Sequence, residues 1–376
     1  MEDLKEKIEK NAENERDVSP FRTASIMVNR VCNLKCPHCD IPQKYTSRAR
    51  MLSGEQWVEV IKTLDREIDL RLVAVSAREP LTPGSTRSKT LRIVDSARKR
   101  GKISGIVTNG YYLKGALPEI SSSGLVMDYM DVSLEGPREV DEKVRGKGHF
   151  DRVVAAINDE KLMKTTEKFF ISFTLNAWNC GPDTLKSFLH WMLKTFHEPR
   201  LAVLALYPNQ HVPEELWLTD DQFLRALEIL LEVSGKFSDI FIDAFSGSIP
   251  GFREIVQKKY LPGKGELLRD DTGMLWGFVG ENLYVRYENI RDVARYQVRV
   301  TPEGRLIMPR DLEAEDYLRS ARSSVLSADW NNTLNGILDE INRIEEAVDP
   351  KCLDQRCFPA CRGDNLRCAF INGGPK

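Results

Sequence analysis

Six short runs of β-branched and apolar residues punctuate the first part of the chain: Ala24–Asn29, Leu72–Ser76, Gly105–Thr108, Met127–Leu134, Phe169–Leu175 and Leu201–Leu206. Each is followed by a longer stretch whose apolar residues recur at helical spacing. Strands joined through helices run the same way, so the alternation predicts a parallel sheet built from βα units. Ser53 with Gln56, and Thr219 with Gln222, each fit a capping box that starts a helix. Six such units close part-way into a barrel or lie as an open doubly wound sheet, and periodicity does not choose between them. In both, the loops after the C-terminal ends of the strands build the active site.

Beyond about Gly235 the rhythm fades. Tyr296–Val300 and Arg305–Met308 flank Thr301-Pro302-Glu303-Gly304 as a β-hairpin, and a helical stretch near Asn331–Ala347 leads to a cysteine-rich tail. Three parts are therefore expected: a charged extension over 1–20, a βα domain over 21–235 and a smaller C-terminal module over 236–376.

Lys+Arg of 54 against Asp+Glu of 56 leaves a formal charge of -2, which provides no global field for a phosphate backbone, so no nucleic-acid partner is expected. No apolar run approaches the roughly 20 residues that span a bilayer. The segment Met1–Asn14 is charged throughout and lacks the apolar centre of a signal peptide, so the expectation is a cytoplasmic protein without a membrane partner.

Eight cysteines in such a compartment point to metal ligation or catalysis rather than disulfides. Cys32, Cys36 and Cys39 form a C-x3-C-x2-C loop directly after the first predicted strand. Thiolates are the usual ligands of iron–sulfur clusters, a cubane takes four, and three leave one iron open to a small molecule. A zinc knuckle completed by His38 or Asp40 is the alternative. Cys352, Cys357, Cys361 and Cys368 supply four thiolates within seventeen residues, enough for a closed cluster or a zinc staple.

The C-x3-C-x2-C loop after the first of six βα strands resembles the radical S-adenosylmethionine superfamily, and further segments match it in order over Ser25 to Tyr207. Ala77-Arg78-Glu79-Pro80 is similar to a Gly-Gly-Glu-Pro segment that receives the methionine amino group, with Ala77 and Arg78 in place of two glycines. His38 stands where an aromatic residue packs near the adenine. Thr108-Asn109-Gly110 follows the third strand, and Ser133-Leu134-Glu135-Gly136-Pro137 resembles a segment whose serine meets the ribose. Arg145-Gly146 with Phe150-Asp151 resembles a stretch whose arginine reaches the methionine carboxylate, and Leu206 closes the set of cofactor-binding candidates.

The resemblance implies an α/β fold, a partial (β/α)6 TIM-like barrel, with a smaller C-terminal hairpin-plus-helix module of the SPASM or twitch type. It implies S-adenosylmethionine, a [4Fe-4S] cluster on Cys32, Cys36 and Cys39, and a second [4Fe-4S] cluster on the four C-terminal cysteines. It also implies an external electron donor such as flavodoxin or ferredoxin. A 5′-deoxyadenosyl radical would take a hydrogen atom from the substrate.

Cys180 is left over, just after the fifth predicted strand. A thiol there is placed to return a hydrogen atom to a substrate radical, which makes carbon epimerisation of a small polar, carbohydrate or aminocyclitol-like substrate the main expectation. The alternative role for Cys180 is that of a small buried hydrophobe. Without it, oxidation of an alcohol is expected, the second cluster taking an electron and a carboxylate such as Glu135 the proton. A peptide-modifying maturase and a non-catalytic zinc protein are the remaining alternatives. Trp178 and Asn179, with Tyr207, Asn209, Gln210 and His211, are candidate substrate contacts.

Overall fold

The computed structural model describes residues 21–39, 50–76, 78–206, 212–243, 267–269, 274–286, 296–307, 324–326, 332–336 and 339. All six expected strands are present: β1 (Thr23–Ile26), β2 (Leu72–Val75), β3 (Ile103–Thr108), β4 (Met127–Ser133), β5 (Thr166–Leu175) and β6 (Arg200–Ala205). Between them run α1 (Gly54–Glu67), α2 (Ser85–Arg98), α3 (Leu113–Ser122), α4 (Arg138–Arg145), α5 (His149–Ile157) and α6 (Pro182–Thr195). After β6 come α7 (Asp220–Val233) and a further parallel strand, β7 (Asp239–Asp243). Strand β7 lies past residue 235, where the βα rhythm fades in the sequence. Both expected capping boxes form, with Ser53 and Thr219 accepting from the backbone of Gln56 and Gln222 while those amides bond back.

The order of the strands decides between the two architectures. Strands β1 to β7 are neighbours in chain order and all parallel. A doubly wound sheet reverses its order at a switch point, and here there is none. Right-handed crossovers that all step the same way stack every helix on one face. The sheet therefore curls into a half barrel, helices outside and a lumen inside.

The two faces differ in packing. Met130, Val132, Ile171, Phe173, Ile240 and Ile242 join the core with Trp57, Val153, Phe188 and Phe223 of the helices. Phe173 stacks on Phe188 with centroids 5.2 Å apart. The alternate residues Ala74, Tyr129, Asp131, Ala202, Leu204 and Phe241 point inward and stay partly accessible. A closed eight-stranded barrel fills its interior with side chains; this lumen keeps solvent-accessible surface.

The later strands extend the same sheet at both edges. Strand β10 (Leu283–Arg286) pairs parallel with β7 and antiparallel with β9 (Leu275–Gly280), which pairs with β8 (Leu267–Arg269). The expected hairpin forms as β11 (Gln297–Val300) and β12 (Leu306–Ile307). Strand β11 pairs parallel with β1, Thr23 opposite Gln297. Its turn touches the start of the cysteine loop, where Arg30 Nε donates to Glu303 Oε1 at 2.7 Å. Leu52 N donates to Pro302 O at 2.9 Å. Cys352, Cys357, Cys361 and Cys368 lie outside the described residues, as does most of the stretch near Asn331–Ala347. Among the described residues no helix is long and apolar enough to cross a membrane.

Gly105 shows how tightly the inner face is built. A Cβ there would lie 2.7 Å from two ring atoms of Tyr129, its partner on β4, and closer still to the Tyr129 carbonyl. Gly105→Ala should lower stability by about 1–3 kcal/mol, as overpacking does when strands on both sides hold the backbone. Denaturant unfolding of the full chain measures this, and an unchanged midpoint would show that the sheet yields there.

Candidate active site

The cysteine loop leaves the end of β1 at the rim of the half barrel. A turn in which Cys39 N donates to Cys36 O, 3.1 Å away, brings these two cysteines together. Two side chains reach the sulfurs, one from the end of β3 and one from the C-terminal end of α4. Asn109 Nδ2 lies 3.5 Å from Cys32 Sγ and donates to Asn33 Oδ1 at 2.9 Å. Arg145 Nη1 lies 3.9 Å from Cys36 Sγ. Burial pushes the Cys36 thiol up to about 11, with Arg145 pulling the other way. Among the described residues no three His, Cys, Asp or Glu side chains converge as the ligands of one ion do. Three soft thiols with N–H donors aimed at two of them suit an iron–sulfur cluster, whose properties depend on such hydrogen bonds.

Beneath the loop runs a chain of buried polar contacts. Glu79 follows β2, and its carboxylate accepts from Leu81 N at 2.9 Å, Thr108 Oγ1 at 2.7 Å and Asn109 N at 2.8 Å. Burial pushes this carboxyl upward against those three donors. The Asn109 carbonyl meets His149 Nε2 at 2.7 Å, and His149 Nδ1 meets Asp141 Oδ2 at 2.7 Å. A carbonyl only accepts, so Nε2 carries a proton, and Nδ1 and the Asp141 carboxyl share one more. Asp141 Oδ1 accepts from Glu135 N at 2.9 Å. Glu135 Oε1 holds Arg145 through Nε, 2.9 Å away, and through Nη2. Burial works against the Arg145 charge, but Glu135 and Cys36 outweigh it and hold the guanidinium protonated more firmly than usual. The chain of contacts runs from Cys32 to Cys36 through the ends of β2, β3 and β4.

The structure brings Asn109, Glu79, Glu135, Arg145 and His38 together under the cysteines, His38 Nε2 lying 3.7 Å from Glu135 Oε1. Arg78 and Ser133 are buried near the same strand ends. Leu206 packs with Val212 and Leu216 against Trp178, whose ring lies 3.6 Å from Lys143 Nζ. Asn179 donates to the carbonyls of Thr174 and Glu135. Glu135, expected as a base, has its second oxygen accepting from Thr174 N at 2.9 Å, so both oxygens are engaged by the protein. Among the described residues no contact joins Cys180 to this cluster: it is 5% exposed, belongs to the apolar core, and its Sγ lies 3.8 Å from Ala177 O. Tyr207, Asn209, Gln210 and His211 lie outside the described residues. The sequence reading missed Asp141 and His149; the one available signal was an acid and a histidine eight residues apart at two successive helix starts.

The inner face has its own electrostatics. Asp239 pairs with Arg200, Nε to Oδ2 at 3.1 Å, and Asp243 with Arg286 at 3.0 Å. The Asp131 carboxyl on β4 has no hydrogen bond or ion pair among the described residues, and burial pushes it up to about 7. The neighbouring Tyr129 phenol is pushed upward as well, by burial first and by Asp131 and Asp128 after it.

Residues 26–171 match the family model described as "Radical SAM superfamily", a span that holds the three cysteines and every member of the buried chain. Residues 26–171 of this chain are thus similar to a radical SAM domain. The cofactors which that family name implies are S-adenosylmethionine and a [4Fe-4S] cluster. Among characterised relatives, the mycofactocin maturase MftC of Mycolicibacterium smegmatis is 34% identical over 131 residues, 34% of this chain and 31% of that protein. The Fe-coproporphyrin III synthase of Methanosarcina barkeri is 30% identical over 218 residues, 56% of this chain and 51% of that protein. The chain thus spans about a third and about half of the length of these two relatives. Among solved structures, native anSMEcpe with bound AdoMet and Cp18Cys peptide superposes with a TM-score of 0.59 at 15% identity, covering 91% of this chain and 88% of that one. At that identity the likeness concerns the fold.

Two substitutions test the electrostatics of this site. Glu135→Gln removes the carboxylate facing a buried guanidinium and should cost about 3–5 kcal/mol in unfolding free energy. A loss below ~1 kcal/mol would show that Arg145 finds water or another partner. For Asp131 the sign follows from its raised value: as pH climbs from 3.8, the unfolded carboxyl ionises first, and native stability is lost until the folded group titrates near about 7. Asp131→Asn should therefore unfold at a higher temperature than the parent at pH 8, with the gap closing by pH 4. An equal gap at both pH values would show that burial of the charge is not the cause.

Proposed function

We propose that this chain is a radical SAM enzyme that modifies a peptide. The observation that carries the radical chemistry is the buried chain of contacts that delivers an amide N–H to Cys32 from the end of β3 and a guanidinium N–H to Cys36 from the end of α4. Cys32, Cys36 and Cys39 would hold the cluster. Glu79, Asn109, Ser133, Arg145, His38, Arg78 and Leu206 are the residues proposed to surround S-adenosylmethionine. When bound, the reduced cluster supplies the electron that splits the cofactor to a 5′-deoxyadenosyl radical. The chain's own work is to hold the loop in register, keep Arg145 charged and exclude water from the rim.

A peptide is favoured over a small polyol for two reasons. MftC is named a maturase, and anSMEcpe was solved with a peptide bound. The half barrel also keeps an accessible inner face, as a chain-like substrate needs. Cys180 lies in the core, which gives no support to epimerisation through that thiol. A tetrapyrrole is the second reading, because Fe-coproporphyrin III synthase matches over more of the chain. A second [4Fe-4S] cluster on the four C-terminal cysteines and a flavodoxin or ferredoxin donor belong to the same proposal.

Anaerobic protein supplied with iron, sulfide, S-adenosylmethionine and dithionite should release 5′-deoxyadenosine, and Cys36→Ala should abolish that release. Release should rise several-fold with at least one member of a synthetic peptide library and not with coproporphyrin III or its iron complex. Stimulation by the tetrapyrrole alone would overturn the peptide reading; no 5′-deoxyadenosine under any condition would overturn the whole assignment.

A further inference from the structure

We infer that the lumen holds a subsite for a cationic group of the substrate, an ammonium or guanidinium on an apolar stem, between the Asp131 carboxylate and an aromatic wall formed by Phe170, Phe241 and Tyr284. The inference rests on the lumen being the substrate chamber of the proposed enzyme.

Strand alternation sets the direction of Asp131. Its neighbours Met130 and Val132 are fully buried in the core. A Cβ on Gly110 would meet both Val132 and Val153 of α5, which puts Val132 on the helix side and Asp131 on the other. Asp131 lies in register with Phe170 of β5. Phe170 packs on Phe241 with centroids 5.6 Å apart, and Phe241 stacks on Tyr284 at 5.1 Å and meets Trp276 edge-on at 5.3 Å. Rings on β5 and β7 touch diagonally across β6, where Ala202 is the register partner of Phe241 on β7 and of Ser172 on β5 and leaves room above the strand. The wall is continuous from β5 to β9.

The chemistry of the occupant follows from charge. The other two inward carboxylates, Asp239 and Asp243, are already paired with Arg200 and Arg286. Directly in register Asp131 faces uncharged inward residues, Val107 on β3 and Phe170 on β5; the Tyr129 phenol lies two residues along its own strand, and Lys168, opposite Tyr129, is the diagonal cation on β5, with no ion pair to Asp131. A carboxylate and the faces of aromatic rings attract the same kind of group, a cation, and each does so more strongly out of water. An anionic side chain would be repelled, and an apolar one would strip water from Asp131 without replacing it. A metal ion is a poor fit, since hard cations take six or more oxygen ligands and one carboxylate beside hydrocarbon rings offers two.

The position also fits the proposed reaction. Asp131 precedes Ser133 by two residues, so it sits about 6–7 Å deeper along the strand than the serine proposed to meet the cofactor. A cation held there leaves carbons nearer the rim facing the reacting end. The subsite would set which carbon is presented.

The test needs neither turnover nor a peptide. The full-length chain is titrated at pH 8.5, where the Asp131 carboxyl is ionised, with n-butylammonium and n-propylguanidinium, and with n-butanol and butyrate as neutral and anionic counterparts, by ligand-observed NMR. At least one cation should bind about tenfold more tightly than butanol, with butyrate weakest. Asp131→Asn should erase the preference, and Phe241→Leu should weaken cation binding while leaving the order of ligands intact. Circular dichroism and unfolding establish that each variant is folded; if Asp131→Asn is not, Phe241→Leu alone decides between a weakened and an unchanged cation affinity. Equal binding of butanol and the cations, or a preference that survives Asp131→Asn, would overturn the subsite. If peptides stimulate 5′-deoxyadenosine release while the cations fail to bind, only the subsite falls. If the cations bind and no peptide stimulates, the peptide reading falls instead.

Discussion

A guanidinium buried beneath a loop of thiols is tolerable only while a carboxylate faces it, and Glu135 is that carboxylate. The pair does more than cancel charge. Glu135 is fixed by Thr174 N on its second oxygen and by Asp141 through its own backbone N–H. Arg145 closes α4 and points back at Cys36. Moving either partner would shift the ends of β4, β5 and α4 together, and the cysteine loop with them. Low dielectric makes each of these contacts strong when satisfied and costly when broken.

The lumen comes from topology rather than from any one contact. Seven parallel strands that step in one direction place their helices on one side, so the concave side receives no packing partner from the βα units. Closure would have filled it with side chains from the opposite wall. The sheet instead ends in edge strands β12 and β8, and the inward residues stay partly accessible.

The elements legible in the sequence are those fixed by local rules. The six strands and the hairpin show in hydrophobic period and turn residues, and the two capped helices in reciprocal spacing of Ser53 with Gln56 and Thr219 with Gln222. The cysteine triplet was legible because its spacing and its place after the first strand act together. The buried chain was not. Asp141 and His149 sit at the starts of α4 and α5, where polar residues ordinarily face water, and only the folded arrangement turns them toward Asn109 and Glu135. Strand β7 is five residues long with an aspartate at each end, too short for its period to declare itself. Cys180 shows the limit of position alone. The sequence places it after the fifth strand, but in the fold the turn that begins at Asn176 buries it, with its thiol 3.8 Å from Ala177 O.

Residue 235, where the strand–helix rhythm stops, invites dissection of the chain into an autonomous catalytic half and a dispensable appendage. Strand β11 argues otherwise, because it lies along β1 and its turn grips Arg30, two residues before the first cysteine. The last third of the polypeptide thus serves as the footing of the loop encoded at its beginning. Cut at that point, the remaining fragment would present a bare edge at β1 and an arginine without Glu303, and the thiols would be strung on a segment with no anchor on that side.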